Sequence, residues 1–199
     1  VIAIVDTGGA NIGSVADAFA RLGIDARLSA DPGEIENADG VVLPGVGAAA
    51  DSMSRIHAKG LAGTLRSLKR PVLGICLGMQ LLFERSEEGG VDCLGILPGT
   101  VKRLASGPGA RVPHMGWNRV RVTVPSPLFD GISDRAWFYF VHSYAAPEGE
   151  FTLAQSEHGT SFPAAVARGG VFGVQFHPER SGADGASLLK NFAEVLRCN

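Results

Sequence analysis

Four short apolar runs in the first half of the chain, each followed by a stretch of helical periodicity, restrict it to folds built on a parallel sheet. Val1 to Val5 is continuous, apolar and ends at Asp6, the pattern of a strand buried on both faces. Asn11 to Leu22 follows, with Ile12, Val15, Phe19 and Leu22 spaced for one face of a helix. A second strand around Ala26 to Leu28 leads to Asp31-Pro32, a helix-start or turn signal. Gly40 to Leu43 forms a third strand, broken by Pro44-Gly45, and helical stretches run from Ala48 to Ser67. Val72 to Ile75 is the fourth strand, and a helix is expected from Leu77 to Arg85. Because parallel strands need crossover connections, this alternation implies α/β architecture with helices on both faces of the sheet.

From Gly89 the runs become shorter and more alternating. Val120 to Val124, Trp137 to Val141, Phe151 to Gln155, Ala164 to Ala167 and Val171 to Phe176 are expected strands. Several should be antiparallel, making the sheet mixed or adding a smaller one. A last helix, about Gly185 to Leu196, carries Leu188, Leu189, Phe192 and Leu196 on one face. With no internal repeat and no linker composition, residues 1–199 read as one domain.

A formal charge of -2 argues against a broad nucleic-acid or anionic-membrane surface, since both need clustered Lys and Arg. No apolar run approaches the roughly 20 residues of a membrane helix, and the opening residues lack the basic and apolar regions of a secretory signal. Cys76, Cys93 and Cys198 are too few and too irregular for a disulfide framework or a zinc site. These features point to a cytoplasmic protein, and no spacing implies a metal or an organic cofactor.

Gly74-Ile75-Cys76-Leu77-Gly78 lies directly between a buried strand and a helix. It has the form of a nucleophile elbow, with Cys as the nucleophile. Such a turn strains the backbone at its centre and demands small residues two positions to either side, which Gly74 and Gly78 supply. At a helix N-terminus the thiol meets unpaired N–H groups and the positive end of the helix dipole, which favour the thiolate. The amide of Leu77 is placed to donate to a developing oxyanion. Gln80 returns to the face of Cys76 one helical turn later, where its amide can meet a polar substrate. Met79 and Leu81 to Phe83 read as core.

A thiol nucleophile needs a base, and the base needs an orienting partner. Gln175-Phe176-His177-Pro178-Glu179 supplies both at the end of a strand. Pro178 stops the ladder and leaves His177 at the carboxyl edge, the edge at which open α/β sheets bind ligands. Glu179 can accept a hydrogen bond from the imidazole. The other histidines, His57, His114, His142 and His158, read from the sequence alone as surface or structural residues. Pro44-Gly45-Val46-Gly47 follows the third strand at the same edge. Alone it reads rather as a plain strand-to-helix turn; beside a Cys nucleophile, the Val46–Gly47 peptide reads as a second oxyanion donor.

Together these residues resemble the class I (triad) glutamine amidotransferases, and among them the glutaminase subunits of imidazole glycerol phosphate synthases. The likeness is carried by Asp6 to Asn11, Pro44 to Gly47, Gly74 to Glu84, His114-Met115-Gly116-Trp117-Asn118, Tyr139 to Tyr144 and Gln175 to Ser181. It implies a three-layer α/β/α, flavodoxin-like fold with a mostly parallel central sheet and extra antiparallel strands. It also implies a Cys76, His177 and Glu179 triad and a glutamine pocket lined by Gln80, His142, Ser143 and Tyr144. The implied partner is a (β/α)8-barrel cyclase that receives ammonia, with Trp117, Asn118 and Arg180 near the interface. Thr7 and Ala10 stand where many relatives carry Tyr and Gly, which weakens any ligand role for that loop. Alternatives on the same residues are the glutaminase subunits of anthranilate, aminodeoxychorismate or pyridoxal phosphate synthases. A free-standing cysteine peptidase or γ-glutamyl hydrolase, and a non-catalytic scaffold, are further ones.

Overall fold

A computed structural model describes residues 1–8, 12–107 and 109–197. Asn11, Cys198 and the middle of the Asp6 to Asn11 motif therefore lie outside the described residues.

The first half alternates as its apolar runs require. In order come β1 (Ile2–Val5), α1 (Ile12–Arg21), β2 (Ala26–Ser29), α2 (Pro32–Asn37), β3 (Gly40–Gly45), α3 (Ala49–Ala58), α4 (Leu61–Ser67), β4 (Val72–Cys76) and α5 (Leu77–Leu81). Asp31 caps α2 as its sequence signal indicated, its carboxylate accepting from the Glu34 amide at 2.9 Å. The second half contains β5 (Arg85–Ser86), β6 (Val91–Asp92), β7 (Thr100–Arg103), β8 (His114–Arg119), β9 (Arg121–Val122) and β10 (Trp137–His142). It closes with β11 (Tyr144–Ala145), β12 (Thr152–His158), β13 (Thr160–Arg168), β14 (Val171–Val174) and α6 (Gly182–Val195).

The main sheet runs β2-β1-β3-β4-β14-β13-β12-β9. From β2 to β14 every neighbour is parallel, and from β14 to β9 every neighbour is antiparallel. Side-chain alternation along each central strand sorts the core into two layers. Ile2, Ile4, Val42, Leu73 and Ile75 point to the layer holding Phe19 of α1 and Leu188, Leu189 and Phe192 of α6. Ala3, Val5, Val41, Leu43 and Val72 point to the opposite layer, with Ile35, Met53, Ile56, Leu61 and Leu65 from α2, α3 and α4. Both faces of the parallel strands are covered, which explains why the runs are continuous rather than alternating. A two-stranded ribbon, β8 with β10, and a small sheet ordered β11-β7-β5-β6 complete the architecture.

Four sequence expectations need correction. The strand at Gly40 does not break at Pro44 but runs on to Gly45, with Pro44 opposite Ile75. The Val41 amide donates to the Pro71 carbonyl on the β4 side, so alternation turns the missing N–H of Pro44 toward β1, which has already ended at Val5. The helix from Leu77 stops at Leu81, not Arg85. Its next carbonyls are taken from outside: Leu94 donates to Leu81, Ile96 and Leu97 to Leu82, Gly95 to Phe83 and Cys93 to Glu84. The helical stretches expected from Ala48 to Ser67 are found, as two helices divided at Lys59 and Gly60. Only Arg121 and Val122 of the expected strand 120–124 pair, at the sheet edge, and β14 ends two residues before Phe176.

Candidate active site

Three adjacent parallel strands deliver the polar residues that the sequence placed in separate motifs. In the sheet, Gly45 at the end of β3 lies opposite Cys76 at the end of β4, and Ile75 lies opposite Val174 at the end of β14. The chain therefore leaves three neighbouring strand ends at one edge, as Val46–Gly47, as Cys76 and as Gln175 to Glu179. There a cavity of about 330 Å³ is lined by Val46, Gly47, Cys76, Leu77, Gln80 and His177, together with His142, Ser143 and Tyr144 where β10 passes into β11. That volume is at the small end for ligand cavities, roughly 300–1,000 Å³.

Cys76 sits at φ 52 and ψ -112, a conformation that side chains with a Cβ rarely adopt. Packing enforces it. A Cβ on Gly78 would lie 1.7 Å from the Leu43 carbonyl oxygen, and one on Gly74 would lie 2.8 Å from backbone atoms of Gly78 and Met79. The first turn of α5 is thus pressed against β3 and β4, and the strained residue is left facing the cavity. Gly47 holds φ 92, in the region that favours glycine, beside the same cavity.

His177 is buried and clamped through its backbone, its amide donating to the Tyr139 carbonyl at 2.8 Å and its carbonyl accepting from the Ser181 hydroxyl at 2.6 Å. Its Nδ1 is 2.8 Å from Glu179 Oε1, whose side chain is 1% exposed. Burial by itself would lower the pKa of His177. Hydrogen bonds to Cys76 and Glu179, and the negative charge of both, outweigh it and raise the group to about 10. The pair is therefore built to hold an imidazolium beside the sulfur, the state a leaving amine needs from a general acid.

The structure also contains polar partners that the motifs did not reveal. Gln175 is fully buried, and its Nε2 lies 3.8 Å from Cys76 Sγ. Its Oε1 accepts from Gln80 Nε2 at 2.9 Å, and the second Gln80 N–H goes to the Tyr144 carbonyl at 2.8 Å. Both donors of Gln80 are committed, so only its oxygen remains for a substrate, a narrower role than its position on the helix suggested. Glu88 lines the cavity too, one carboxylate oxygen held by the Ala49 amide at 2.9 Å. A lone carboxylate in a loop gave no signal in the sequence; Gln175 lay within a quoted motif but was overshadowed by His177. No group of three or more His, Cys, Asp or Glu among the described residues is arranged to hold a metal ion.

Of the residues expected near a partner, Trp117 is 53% exposed on the outer face of the β8–β10 ribbon, between exposed Met115 and Trp137, with Tyr139 edge-on at 6.0 Å. Asn118 points the other way, its amide donating to the Glu157 carbonyl at 2.8 Å. Arg180 is exposed, in the short turn that follows His177.

Residues 3–196 match the family model for glutamine amidotransferase class-I. The chain belongs to the class-I glutamine amidotransferase family. It is 53% identical over 194 residues to a protein of Xanthomonas axonopodis pv. citri named imidazole glycerol phosphate synthase subunit HisH, covering 98% of this chain and 97% of that one. A protein of Xylella fastidiosa bearing the same name is 52% identical over the same shares. Among solved structures, one described as a glutamine amidotransferase superimposes with a TM-score of 0.78 at 21% identity, over 99% of both chains. A structure of PurLQS from Thermotoga maritima gives 0.73 at 18% identity, over 98% of both. At those identities the likeness bears on the fold, which these α/β proteins share with the chain. No helix among its described residues is long and apolar enough to cross a membrane.

Two buried histidines give the fold a pH optimum of its own. Burial lowers His142 to about 3 and His114 to about 4. In the unfolded chain both protonate near 6.5, so below that pH the unfolded state binds more protons and stability falls as acid is added. With two such groups the loss approaches roughly 3 kcal/mol per pH unit as the pH falls toward 5. His177 works in the opposite direction: its contribution is complete below 6.5 and is lost as pH rises toward about 10. Denaturant unfolding as a function of pH should give a maximum near pH 6.5; a curve flat from about pH 5 to 8 would contradict the neutral burial of His114 and His142.

Proposed function

We propose that this chain is the glutaminase subunit of an imidazole glycerol phosphate synthase, with residues 1–199 acting as one domain. The observation that carries the reading is the convergence of Cys76, the His177–Glu179 pair and the Val46–Gly47 peptide on one cavity, in a chain 53% identical to proteins of that name.

In this reading Cys76, His177 and Glu179 form the catalytic triad. The glutamine side chain enters with its carbonyl carbon at Cys76, and the Cys76 thiolate adds to that carbon. The oxygen gains the displaced electron pair and is stabilised by the Leu77 amide and the Val46–Gly47 peptide. Collapse breaks the C–N bond; the nitrogen takes a proton from the His177 imidazolium and leaves as ammonia, and a thioester remains. Neutral His177, held in orientation by Glu179, then removes a proton from water, whose oxygen attacks the thioester carbon. Glutamate departs, and Cys76 is regenerated. The Gln80 oxygen, His142, Ser143 and Tyr144 form the pocket, and the free oxygen of Glu88 is positioned for the α-ammonium group.

Ammonia would then pass to a (β/α)8-barrel cyclase, where it serves the ring closure that yields imidazole glycerol phosphate. Met115, Trp117 and Trp137 form the exposed aromatic face that suits such a partner, with Arg180 near its margin; aromatic and Met side chains are enriched at interface centres. Asn118 would serve behind that face rather than on it. The test is glutamate release by the purified chain, alone and with a cyclase subunit and its nucleotide ligand. Strong activation by the pair is the expected result. High activity that the cyclase leaves unchanged would keep the glutaminase and overturn the pathway. Turnover of peptides or γ-glutamyl conjugates instead of glutamine would overturn both.

A further inference from the structure

We infer that His114 and Asn118 are positioning residues for the glutamine pocket, holding its wall at Ser143 and Tyr144 through a hydrogen-bond chain of fixed direction. The inference rests on the glutaminase reading for its kinetic consequences but not for its geometry.

The direction is set at both ends by groups that have no choice. At the pocket end stands the Tyr144 carbonyl, which can only accept. It receives Gln80 Nε2 at 2.8 Å and lies 2.8 Å from His142 Nδ1, so the Nδ1 of His142 must carry a hydrogen. Burial keeps His142 neutral, which leaves its Nε2 as an acceptor. His114 Nδ1, 2.9 Å away, must then be the donor. His114 is neutral for the same reason, and its Nε2 accepts in turn from Asn118 Nδ2 at 3.2 Å. The Asn118 amide cannot turn over, because its Oδ1 accepts from the Arg119 amide at 2.8 Å while Nδ2 also donates to the Glu157 carbonyl. Every link from Asn118 to Tyr144 therefore points toward the pocket, and both imidazoles are the Nδ1–H tautomer.

What the chain holds is the segment that lines the cavity. The Ser143 carbonyl accepts from the Leu104 amide at 2.9 Å, and the Tyr144 carbonyl is saturated by Gln80 and His142. Both wall carbonyls are thereby turned into the protein, and the peptide between them is fixed where substrate would contact Ser143 and Tyr144. Reversal at any link would set acceptor against acceptor at Tyr144, and the wall would have to move. His114 also stacks on Phe140 at 4.9 Å and on His158 at 4.2 Å, so packing and hydrogen bonding can be separated by choice of substitution.

His114→Phe keeps a stacked ring and removes both hydrogen bonds. His114→Asn forfeits the stack but keeps an N–H where Nδ1 stood. Asn118→Asp puts an acceptor opposite His114 Nε2 and reverses the chain from its outer end, at a half-buried position where folding is less at risk. In steady-state glutamine hydrolysis, H114F and N118D should each raise KM about tenfold with kcat changed less than about threefold, and H114N should stay within about threefold of the parent in KM. A residue that merely supports folding would lower melting temperature and active fraction and leave KM alone. Imidazole nitrogen NMR on the parent protein should find His114 and His142 both protonated at Nδ1. Unchanged KM in folded H114F and N118D, or an Nε2–H tautomer at His142, overturns the inference. Absence of glutamate release by the parent, even with the cyclase subunit and its nucleotide ligand present, would instead overturn the glutaminase reading, and the NMR result would still decide the direction of the chain.

Discussion

Replacing Cys76 with alanine should reduce glutamine hydrolysis by a factor on the order of 10⁴–10⁶, the usual consequence of removing the nucleophile from a site whose parts act as a unit. Synthesis supported by free ammonia in the complex with the cyclase should survive, because the cavity and the surrounding sheet are untouched. The substitution also tests the geometry. At φ 52 and ψ -112 a Cβ is strained whether it belongs to cysteine or alanine. Glycine alone relieves that strain, so Cys76→Gly should be more stable to denaturant than Cys76→Ala by about 1–2 kcal/mol. Elsewhere in a folded chain glycine is the less stable of the two by about 0.5–1 kcal/mol, so the sign of the difference is diagnostic. A Cys76→Ala protein that still released glutamate at the parental rate would remove Cys76 from the mechanism. A Gly variant less stable than the Ala variant would show that the turn does not hold its residue under strain.

The parts of this site that could be read in the sequence are those written in local pattern. A buried apolar run has few ways to fold, and β1, β3 and β4 lie where their runs placed them. The elbow was legible because a nucleophile flanked by Gly74 and Gly78 records its own steric requirement. What escaped depends on contacts distant in sequence. The helix after Cys76 ends at Leu81 because the Cys93 to Leu97 segment takes its carbonyls, and nothing between Leu77 and Arg85 announces that. β8 was hidden for a different reason. Its inward row is His114, Gly116 and Asn118, while Met115 at 63% exposed and Trp117 at 53% face outward. Polarity is inverted relative to an ordinary half-buried strand, so alternation pointed away from the true arrangement. Each side matches a proposed role: the inward polar row carries the hydrogen bonds that lead from Asn118 through His114 to His142, and the outward apolar row is the surface proposed for a partner. His142, which reads from the sequence as structural, lines the cavity at the end of β10, and His114 of β8 hydrogen-bonds it from behind.

Gly78→Ala should be among the most destabilising single substitutions available in this chain. The new Cβ would stand 1.7 Å from the Leu43 carbonyl oxygen, a backbone atom that no rotamer change can move aside. The carbonyl cannot retreat cheaply, since Leu43 is fully buried in β3 and paired in register with Gly74 of β4. Relief requires the start of α5 to lift from the sheet, opening a void beneath Leu77 and Met79, both in the core. Overpacking a tight core costs typically 1–3 kcal/mol, and disruption of the strand pairing adds to it, so a loss of at least ~4 kcal/mol is expected, a large share of the 5–15 kcal/mol typical of a domain. Gly63→Ala is the control. It lies exposed within α4 with nothing within 4 Å of the new atom, and it should stabilise by about 0.5–1 kcal/mol through helix propensity. Denaturant midpoints for the two variants separate close approach from mere intolerance of alanine. Should Gly78→Ala unfold at the parental midpoint, the contact between α5 and β3 would be looser than described, and packing could no longer be what forces Cys76 into its conformation.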